Sequence, residues 1–334
     1  MRQNRSSLPK AVLAALVAAG VAVVMTGCSG TSGDTTGVAA PDAAAFAIDQ
    51  DFPDPDVILV GQTYHAYATN SAGVNVQSAT STDLRHWSVS TTDVLPQLPG
   101  WALPGKTWAP DVSEVSPGHF VLYFAAASAD PPLQCIGVAT SGSADGPFVA
   151  AGDRPLVCQK EEGGAIDPAS FVDEDGKRYL VWKNDGNCCG LDTWLQLAEV
   201  TPDGQTISGP ITKLIKQTEA WEGNLVEAPT LIRRGGKYVL FYSANDYSGG
   251  KYAVGYATAP SITGPYTKHE GPIFSTELSH DRFLGPGGQD VVLVPGGADQ
   301  LVFHSWSLTD NFRGMNVLPL KWVNGEPLVV SPKR

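Results

Sequence analysis

The chain has 334 residues, of which 43% are hydrophobic and 17% charged, with 36 glycines and 25 prolines. This much apolar material excludes a disordered or fibrous protein, and the frequent glycine and proline favour many strands joined by turns over long helices. The formal net charge of −12 argues against a nucleic-acid-binding protein. Length alone allows two domains or one large all-β domain.

The N-terminus has the pattern of an export signal. Basic residues precede a short apolar run, residues 11–25, so residues 1–27 are predicted to be a signal peptide. The run ends in a Met-Thr-Gly-Cys sequence that resembles a bacterial lipobox, which predicts lipid on Cys28; an ordinary signal cleaved elsewhere is the alternative. Residues 28–45 are expected to form a flexible tether. The protein is therefore predicted to be extracellular, either secreted or held by this lipid on the outer face of a bacterial membrane.

Four further cysteines are expected to form disulfides, because an exported chain meets an oxidising environment. A bridge between the adjacent Cys188 and Cys189 is strained, so these two are predicted to pair with Cys135 and Cys158, in either order. A metal site is the weaker interpretation, since no histidine stands at ligand spacing from them.

Short apolar strands recur about 60 residues apart, at residues 64–67, 120–123, 179–182, 238–241 and 301–304. Another β-like run follows each of them, at residues 77–80, 137–140, 196–199, 255–258 and 317–320. Such a period, with glycine and proline turns between strands, is typical of a β-propeller. Five repeats predict an all-β, five-bladed propeller over residues 46–334. A β-sandwich or jelly roll is the alternative, but it gives no reason for a fivefold repeat.

A polar site next to proline or glycine precedes each of the five strands, and in repeats one, three and four this site carries Asp54, Asp167 and Glu227. Equivalent positions of successive blades line the same end of the axis, so these carboxylates are predicted to meet there. Mutual repulsion and partial desolvation would raise at least one carboxyl pKa and so separate an acid from a base, as glycoside hydrolysis requires. Asp111 has the same register in repeat two, but it is interpreted as structural, like Asp56.

Four ordered motifs resemble those of glycoside hydrolase family 43: Phe52-Pro53-Asp54-Pro55-Asp56-Val57, Trp108-Ala109-Pro110-Asp111-Val112, Ala165-Ile166-Asp167-Pro168 and Glu227-Ala228-Pro229. The resemblance implies a five-bladed propeller that hydrolyses α-L-arabinofuranosides or β-D-xylosides. It further implies that Asp54 is the general base, Glu227 the general acid, and Asp167 the residue that orients Glu227 and keeps its pKa high. Related retaining clans carry Arg-Asp-Pro and Glu-Cys motifs, which this chain lacks, so inversion of configuration is expected.

Aromatic rings are the second part of a sugar site, because the C–H faces of a sugar ring pack on them. Phe52, Trp108 and Trp221 lie near the polar sites and are predicted to contact substrate, with packing between blades as the alternative. Arg313 is predicted to bind sugar hydroxyls, as arginines of the family do, with a surface ion pair as the alternative.

The fifth repeat departs from the family pattern. Many members have Gly-Pro-Gly-His there, whereas Gly288 stands in place of the histidine, which weakens the prediction of a central calcium ion. His304 resembles the axial histidine of the last blade and is a candidate for binding substrate, water or an axial ion. No cofactor is expected to be required.

The leading hypothesis is a monomeric, inverting, exo-acting α-L-arabinofuranosidase that acts on oligosaccharides from arabinan or arabinoxylan. The compact chain favours exo action. An endo-1,5-α-L-arabinanase and a β-xylosidase are alternatives within the family. A non-catalytic propeller that binds oligosaccharides at the cell surface is the alternative from another class, although it would not need three carboxylates.

Overall fold

Twenty-one β-strands and three 3-10 helices make up the computed structural model over its described residues, 46–71, 73–309 and 311–331. The predicted signal peptide, Cys28 and the predicted tether lie outside these residues. Within the described part of the chain, no helix has the length and apolar character needed to cross a membrane.

The strands form five antiparallel sheets in chain order. Blade 1 contains β1 (Asp56–Val60), β2 (Thr63–Ala68), β3 (Gln77–Ser81) and β4 (Ser88–Val89). Blade 2 contains β5 (Ala102–Ser116), β6 (His119–Ser128), β7 (Gln134–Ser141) and β8 (Val149–Ala150). Blade 3 contains β9 (Ala165–Val172), β10 (Arg178–Asn184), β11 (Trp194–Val200) and β12 (Thr212–Lys216).

Blades 4 and 5 complete the ring. Blade 4 contains β13 (Val226–Arg234), β14 (Lys237–Ala244), β15 (Ala253–Ala259), β16 (Thr267–Lys268) and β17 (Phe274–Ser275), which also pairs with β15. Blade 5 contains β18 (Leu284–Val292), β19 (Asp299–Trp306), β20 (Arg313–Val323) and β21 (Glu326–Val329). The 3-10 helices are Lys160–Glu162, Gly186–Cys189 and Ala220–Glu222.

The first strand of each blade packs against the first strand of the next, and β18 packs against β1, so the five sheets surround one axis. The predicted five-bladed propeller is confirmed. The apolar runs identified by their period are the second strands of the blades, and the runs that follow them are the third strands.

The hydrophobic core consists of five clusters, one between each pair of neighbouring blades. Trp182 of β10, for example, is fully buried against residues of blade 2 such as Tyr123. A single blade could not bury both of its faces, so the clusters stabilise the blades only as a closed ring.

The segment before β1 closes this ring by pairing with blade 5. The Ala47 N–H donates to the Met315 carbonyl at 2.9 Å, and the Phe52 N–H donates to the Arg313 carbonyl at 2.9 Å. Phe52 is 0% exposed in the cluster between blades 5 and 1. The prediction that Phe52 contacts substrate is therefore wrong, because its ring is buried in the core between blades 5 and 1.

The disulfides differ from the predicted pairing. Cys135 bonds to Cys158, and Cys188 bonds to its neighbour Cys189. Ile136 pairs with Val157, which brings the Cα atoms of Cys135 and Cys158 to 4.6 Å, whereas the other two cysteines lie in a 3-10 helix after β10. The prediction considered the local geometry of the adjacent pair and had no information on which strands lie side by side.

Candidate active site

A β-bulge interrupts the first strand of blades 2 to 5 at the same point. In blade 3, Val181 pairs with Ala169 and Lys183 pairs with Ile166, so the single residue between them on β10 faces two residues of β9. The registers of the other three blades shift in the same way. Proline follows the first bulge residue in three of these blades, which suits a position without a ladder hydrogen bond.

The first bulge residue has a positive φ in blades 2 to 5, and the same conformation occurs at the corresponding position of blade 1. These residues are Asp54 (54°), Ala109 (44°), Asp167 (55°), Ala228 (47°) and Gly288 (55°). All five line one axial cavity. Four of them are not glycine, and such backbone conformations are maintained where the surroundings require them, which is common at functional sites.

This register corrects the sequence-based alignment of the carboxylates. Asp54 and Asp167 are equivalent, but Glu227 lies one residue before the bulge position of its blade. Asp111 lies two residues after the bulge position, where Asp56 and Asp290 lie in their own blades. The prediction of one shared register is therefore wrong, although the negative charge of Glu227 raises the pKa of Asp167 and that of Asp54 raises the pKa of both Asp167 and Glu227.

Asp54 lies in a positive environment. The Thr69 hydroxyl donates to Asp54 Oδ2 at 2.6 Å, and Arg313 Nη1 and His304 Nδ1 lie 3.5 and 3.2 Å from Oδ1. Burial acts to raise the pKa of Asp54, but the Arg313 charge, His304 and the Thr69 hydrogen bond outweigh it. The pKa of Asp54 is thus held well below its usual range, and the group stays ionised.

Asp167 and Glu227 have the opposite tendency. Burial raises the pKa of Asp167 to about 8, reinforced by the negative charge of Glu227. Burial also raises the pKa of Glu227, against the effect of Lys183, whose Nζ lies 3.5 Å from Oε2. Asp167 Oδ2 accepts the Ala228 N–H at 2.9 Å, which fixes its carboxylate beside Glu227. This pair therefore retains a proton near neutral pH.

The axial cavity below these groups measures about 60 Å³, which leaves room for a few water molecules. Asp56, Asp111 and Asp290 form its second layer, where each carboxylate accepts a backbone N–H from the next blade at 2.9 to 3.0 Å. Their contacts link blades to one another, in agreement with the structural interpretation of Asp56 and Asp111.

A metal site at the axis gains limited support from the donor atoms. Among the described residues, no group of three His, Cys, Asp or Glu side chains is placed to hold a metal ion. His304 Nδ1 accepts the Asp54 N–H at 3.1 Å, so the neutral ring carries its hydrogen on Nε2, which is buried without a protein partner and could donate to an axial water. The axial ion remains a prediction.

The predicted tryptophans do not line the axial cavity. Trp221 stacks on Tyr242 at 5.8 Å and contacts the Gly255 backbone, so it packs within blade 4. Trp108 is half-buried on β5, opposite Ala125. Packing between strands thus accounts for the position of Trp221, and Trp108 lies beside the cavity and not in its wall.

Arg313 reaches the site from β20, as predicted, and two aromatic rings hold it there. Its guanidinium lies 4.9 Å from the ring centre of Tyr247 and 5.9 Å from that of Trp306. The Trp306 indole N–H donates to the Tyr247 carbonyl at 2.8 Å. We call these three residues the arginine wall. Sequence reasoning missed both aromatic residues, although Trp306 lies only two positions after His304.

Tyr252 connects the two sides of the site and was also missed. Its side chain acts to lower the pKa of Glu227, and its ring stacks on His304 at 5.7 Å. Tyr252 lies in a polar loop just before β15, and no motif or spacing in the sequence distinguishes it from the other buried tyrosines. The same site therefore contains an ionised carboxylate, a pair of carboxyls that shares a proton, and a fixed cation.

Comparison with known proteins agrees with this arrangement. A sequence model described as glycosyl hydrolases family 43 matches residues 47–327. The extracellular endo-α-(1→5)-L-arabinanase 1 of Bacillus subtilis is 29% identical over 315 residues, which cover 86% of this chain and 91% of the relative. The extracellular exo-α-(1→5)-L-arabinofuranosidase ArbA of Cellvibrio japonicus is 26% identical over 303 residues, covering 81% and 84%.

A solved structure gives the same result for the fold. The crystal structure of a thermostable family-43 glycoside hydrolase is similar, with a TM-score of 0.75 and 27% sequence identity. The similarity covers 88% of this chain and 96% of that one. Together with the family match over residues 47–327, this shows that the chain belongs to glycoside hydrolase family 43.

Proposed function

We propose that the protein is an inverting hydrolase of α-L-arabinofuranosidic bonds in arabinan-derived oligosaccharides. The observation that carries this proposal is the different surroundings of two carboxylates at one site: Arg313 and Thr69 contact Asp54 and hold its pKa down, whereas burial raises the pKa of Glu227. Inverting hydrolysis needs one carboxylate that remains ionised and one carboxyl that remains protonated. The names of the two relatives, an arabinanase and an arabinofuranosidase, support the choice of sugar.

In the proposed mechanism, Asp54 is the general base. It accepts a proton from a water molecule while the water oxygen bonds to the anomeric carbon. Glu227 is the general acid, and it donates its proton to the glycosidic oxygen as the bond to the anomeric carbon breaks. Asp167 orients Glu227 and keeps it protonated by repulsion. Attack from the face opposite the leaving group inverts the configuration.

We propose exo action as the more specific form of this activity. The arginine wall supports it, because Arg313 contacts Asp54, the base, and two aromatic rings hold the guanidinium beside the site. Endo action is the second candidate, favoured by the similarity to the Bacillus subtilis endo-arabinanase over most of both chains. A β-xylosidase remains the third candidate within the family.

Proton NMR of the products distinguishes these candidates. The protein is incubated with linear α-1,5-arabino-oligosaccharides, and spectra are recorded in the first minutes, before mutarotation. We expect β-arabinose as the first product. Shorter oligomers alone would indicate endo action, and an initial α-anomer would refute inversion. If neither arabinosides nor xylosides are cleaved, the non-catalytic binding propeller becomes the better hypothesis.

We also propose that the protein acts outside the cell, in line with the extracellular relatives. Anchoring through lipid on Cys28 is the more specific prediction. In cell fractionation, Cys28→Ser should move the protein from the membrane to the medium. Continued membrane association of this variant would contradict the lipid anchor.

A further inference from the structure

Lys183 is a buried cation beside Glu227, the proposed acid. It lies on β10 and is 2% exposed. A buried ammonium group is costly unless it is paired, and Lys183 has two partners. Its Nζ lies 3.1 Å from Asp185 Oδ1 and 3.5 Å from Glu227 Oε2. Lys183 therefore joins the catalytic carboxyl of blade 4 to the end of a strand in blade 3.

The position of Lys183 recurs in the other blades. In each of blades 3 to 5, one residue of the second strand pairs with the residue just before the bulge of the first strand. This residue is Lys183 in blade 3, Ser243 in blade 4 and His304 in blade 5. Each of these residues contacts the next blade, in its first strand or in the segment that leads into it. Ser243 Oγ accepts the Gly288 N–H at 2.9 Å, His304 contacts Asp54, and Lys183 contacts Glu227. The fold thus places Lys183 against the acid as it places His304 against the base.

The charge of Lys183 acts within a group of acidic neighbours. The titratable groups that face Lys183 or Glu227 are Asp54, before β1; Asp167, on β9; Asp185, after β10; and Tyr252, before β15. Burial and the negative charge of Asp54 favour the protonated form of Glu227. Lys183 favours its ionised form, in which the acid has donated its proton. Both influences are needed in an acid that must hold a proton and then release it.

We propose that Lys183 is a positioning residue that fixes the Glu227 carboxyl and sets the pH at which this carboxyl releases its proton. The inference rests on the proposed function, because it assigns Glu227 as the acid of that reaction. Lys183 acts through Glu227 and needs no contact with the sugar. Without its charge, Glu227 would keep its proton to higher pH and transfer it less readily.

The test is a titration of Glu227 that needs no substrate. The intact protein is labelled with glutamate carrying 13C at the carboxyl carbon, and the signal of Glu227 is identified by its loss in Glu227→Gln. In Lys183→Met, which keeps the length of the side chain, the pKa of Glu227 should rise by roughly 1 to 3 pH units. In Asp185→Asn, which leaves Lys183 with Glu227 as its remaining close carboxylate partner, this pKa should fall.

Lys268→Met is the matched control. Lys268 Nζ lies 2.6 Å from Glu222 Oε1, and Glu222 is fully buried, so this variant also breaks a buried ion pair in blade 4. We expect it to lower the melting temperature and leave the titration of Glu227 unchanged. An unchanged pKa in Lys183→Met, or an equal shift in Lys268→Met, would overturn the proposal. Should Lys183→Met fail to fold, the titration of Asp185→Asn decides, and a pKa that does not fall overturns it.

Kinetics provide the second measurement. In Lys183→Met, the alkaline limb of the pH profile of kcat/KM should move upwards by the same amount, with kcat reduced and KM little changed. A loss of structure alone would not move this limb. Inactivity of the unmodified protein on arabinosides would reject the proposed function, whereas the titration would still decide the role of Lys183.

Discussion

Replacing Arg313 by methionine should bring the titration of the proposed base into the measurable pH range. Methionine retains an apolar side chain between the two rings of the arginine wall and removes the charge. The guanidinium is a main cause of the low pKa of Asp54 in the folded protein, because it opposes the effect of burial. We therefore expect the acidic limb of the pH profile of kcat/KM to move upwards in Arg313→Met.

The size of the shift follows from the geometry. Arg313 Nη1 lies 3.5 Å from Asp54 Oδ1, and two unit charges about 4 Å apart interact by about 4 kcal/mol at an effective dielectric constant of about 20. The side chains are 15% and 19% exposed, so solvent screens part of this energy. Since one pH unit corresponds to about 1.4 kcal/mol, the pKa of Asp54 should rise by roughly 1 to 3 pH units.

Arg233→Met provides the matched control for this experiment. Arg233 Nη1 lies 3.2 Å from Asp173 Oδ1, and its guanidinium lies 5.1 Å from the ring centre of Tyr238, so the same kinds of contact are lost away from the axial cavity. Initial rates on an aryl α-L-arabinofuranoside are measured from pH 3 to pH 9 for both variants. An acidic limb that stays in place in Arg313→Met, or moves equally in Arg233→Met, would refute the electrostatic reasoning.

Three further predictions concern the axis. Gly288→Ala would place a Cβ 2.7 Å from Asp54 Oδ1, so activity should fall by about 100-fold. The control Gly61→Ala, also at positive φ but with no atom near the added Cβ, should leave activity unchanged. Equal hydrolysis rates for the two variants would contradict this prediction. Burial raises the pKa of Asp111 from 3.8 to about 6, so the contribution of Asp111 to the stability of the folded state decreases as the pH rises through this interval. The melting temperature of Asp111→Asn, relative to that of the unmodified protein, should therefore be higher at pH 8 than at pH 4. The same difference in melting temperature at both pH values would contradict this prediction. Glu227→Gln should bind oligosaccharides with similar affinity by calorimetry and hydrolyse them slower by orders of magnitude, and undiminished turnover would exclude it as the acid.

The fold could be predicted from the sequence because it depends on periodicity. The second strand of each blade is an apolar segment, and these segments recur at nearly constant spacing. Burial between blades requires such residues at every repeat, so the pattern remains visible in one sequence. The bulge in the first strand of blades 2 to 5 was visible only as a recurring proline or glycine.

The arrangement within the site was harder to predict because it depends on single-residue register. Glu227 precedes the bulge position, while Asp54 occupies it, and a shift of one residue in a strand reverses the direction of a side chain. Lys183 was missed because a lysine at the end of a strand ordinarily lies in solvent. Its burial follows from contacts between blades, which are far apart in sequence.

The segment before β1, which closes the ring by pairing with blade 5, also positions the proposed base. The Phe52 N–H bonds to the backbone of Arg313, and Asp54 follows two residues later, so the proposed base is attached to the strand that locks blade 1 onto blade 5. Release of this short segment would separate Asp54 from Arg313 and His304 while four interfaces between blades remained intact. The enzyme would then lose activity on heating before its sheets melt. Mechanical tension on the chain before residue 46 would act on the same backbone hydrogen bonds to blade 5, so it would lower activity in the same way.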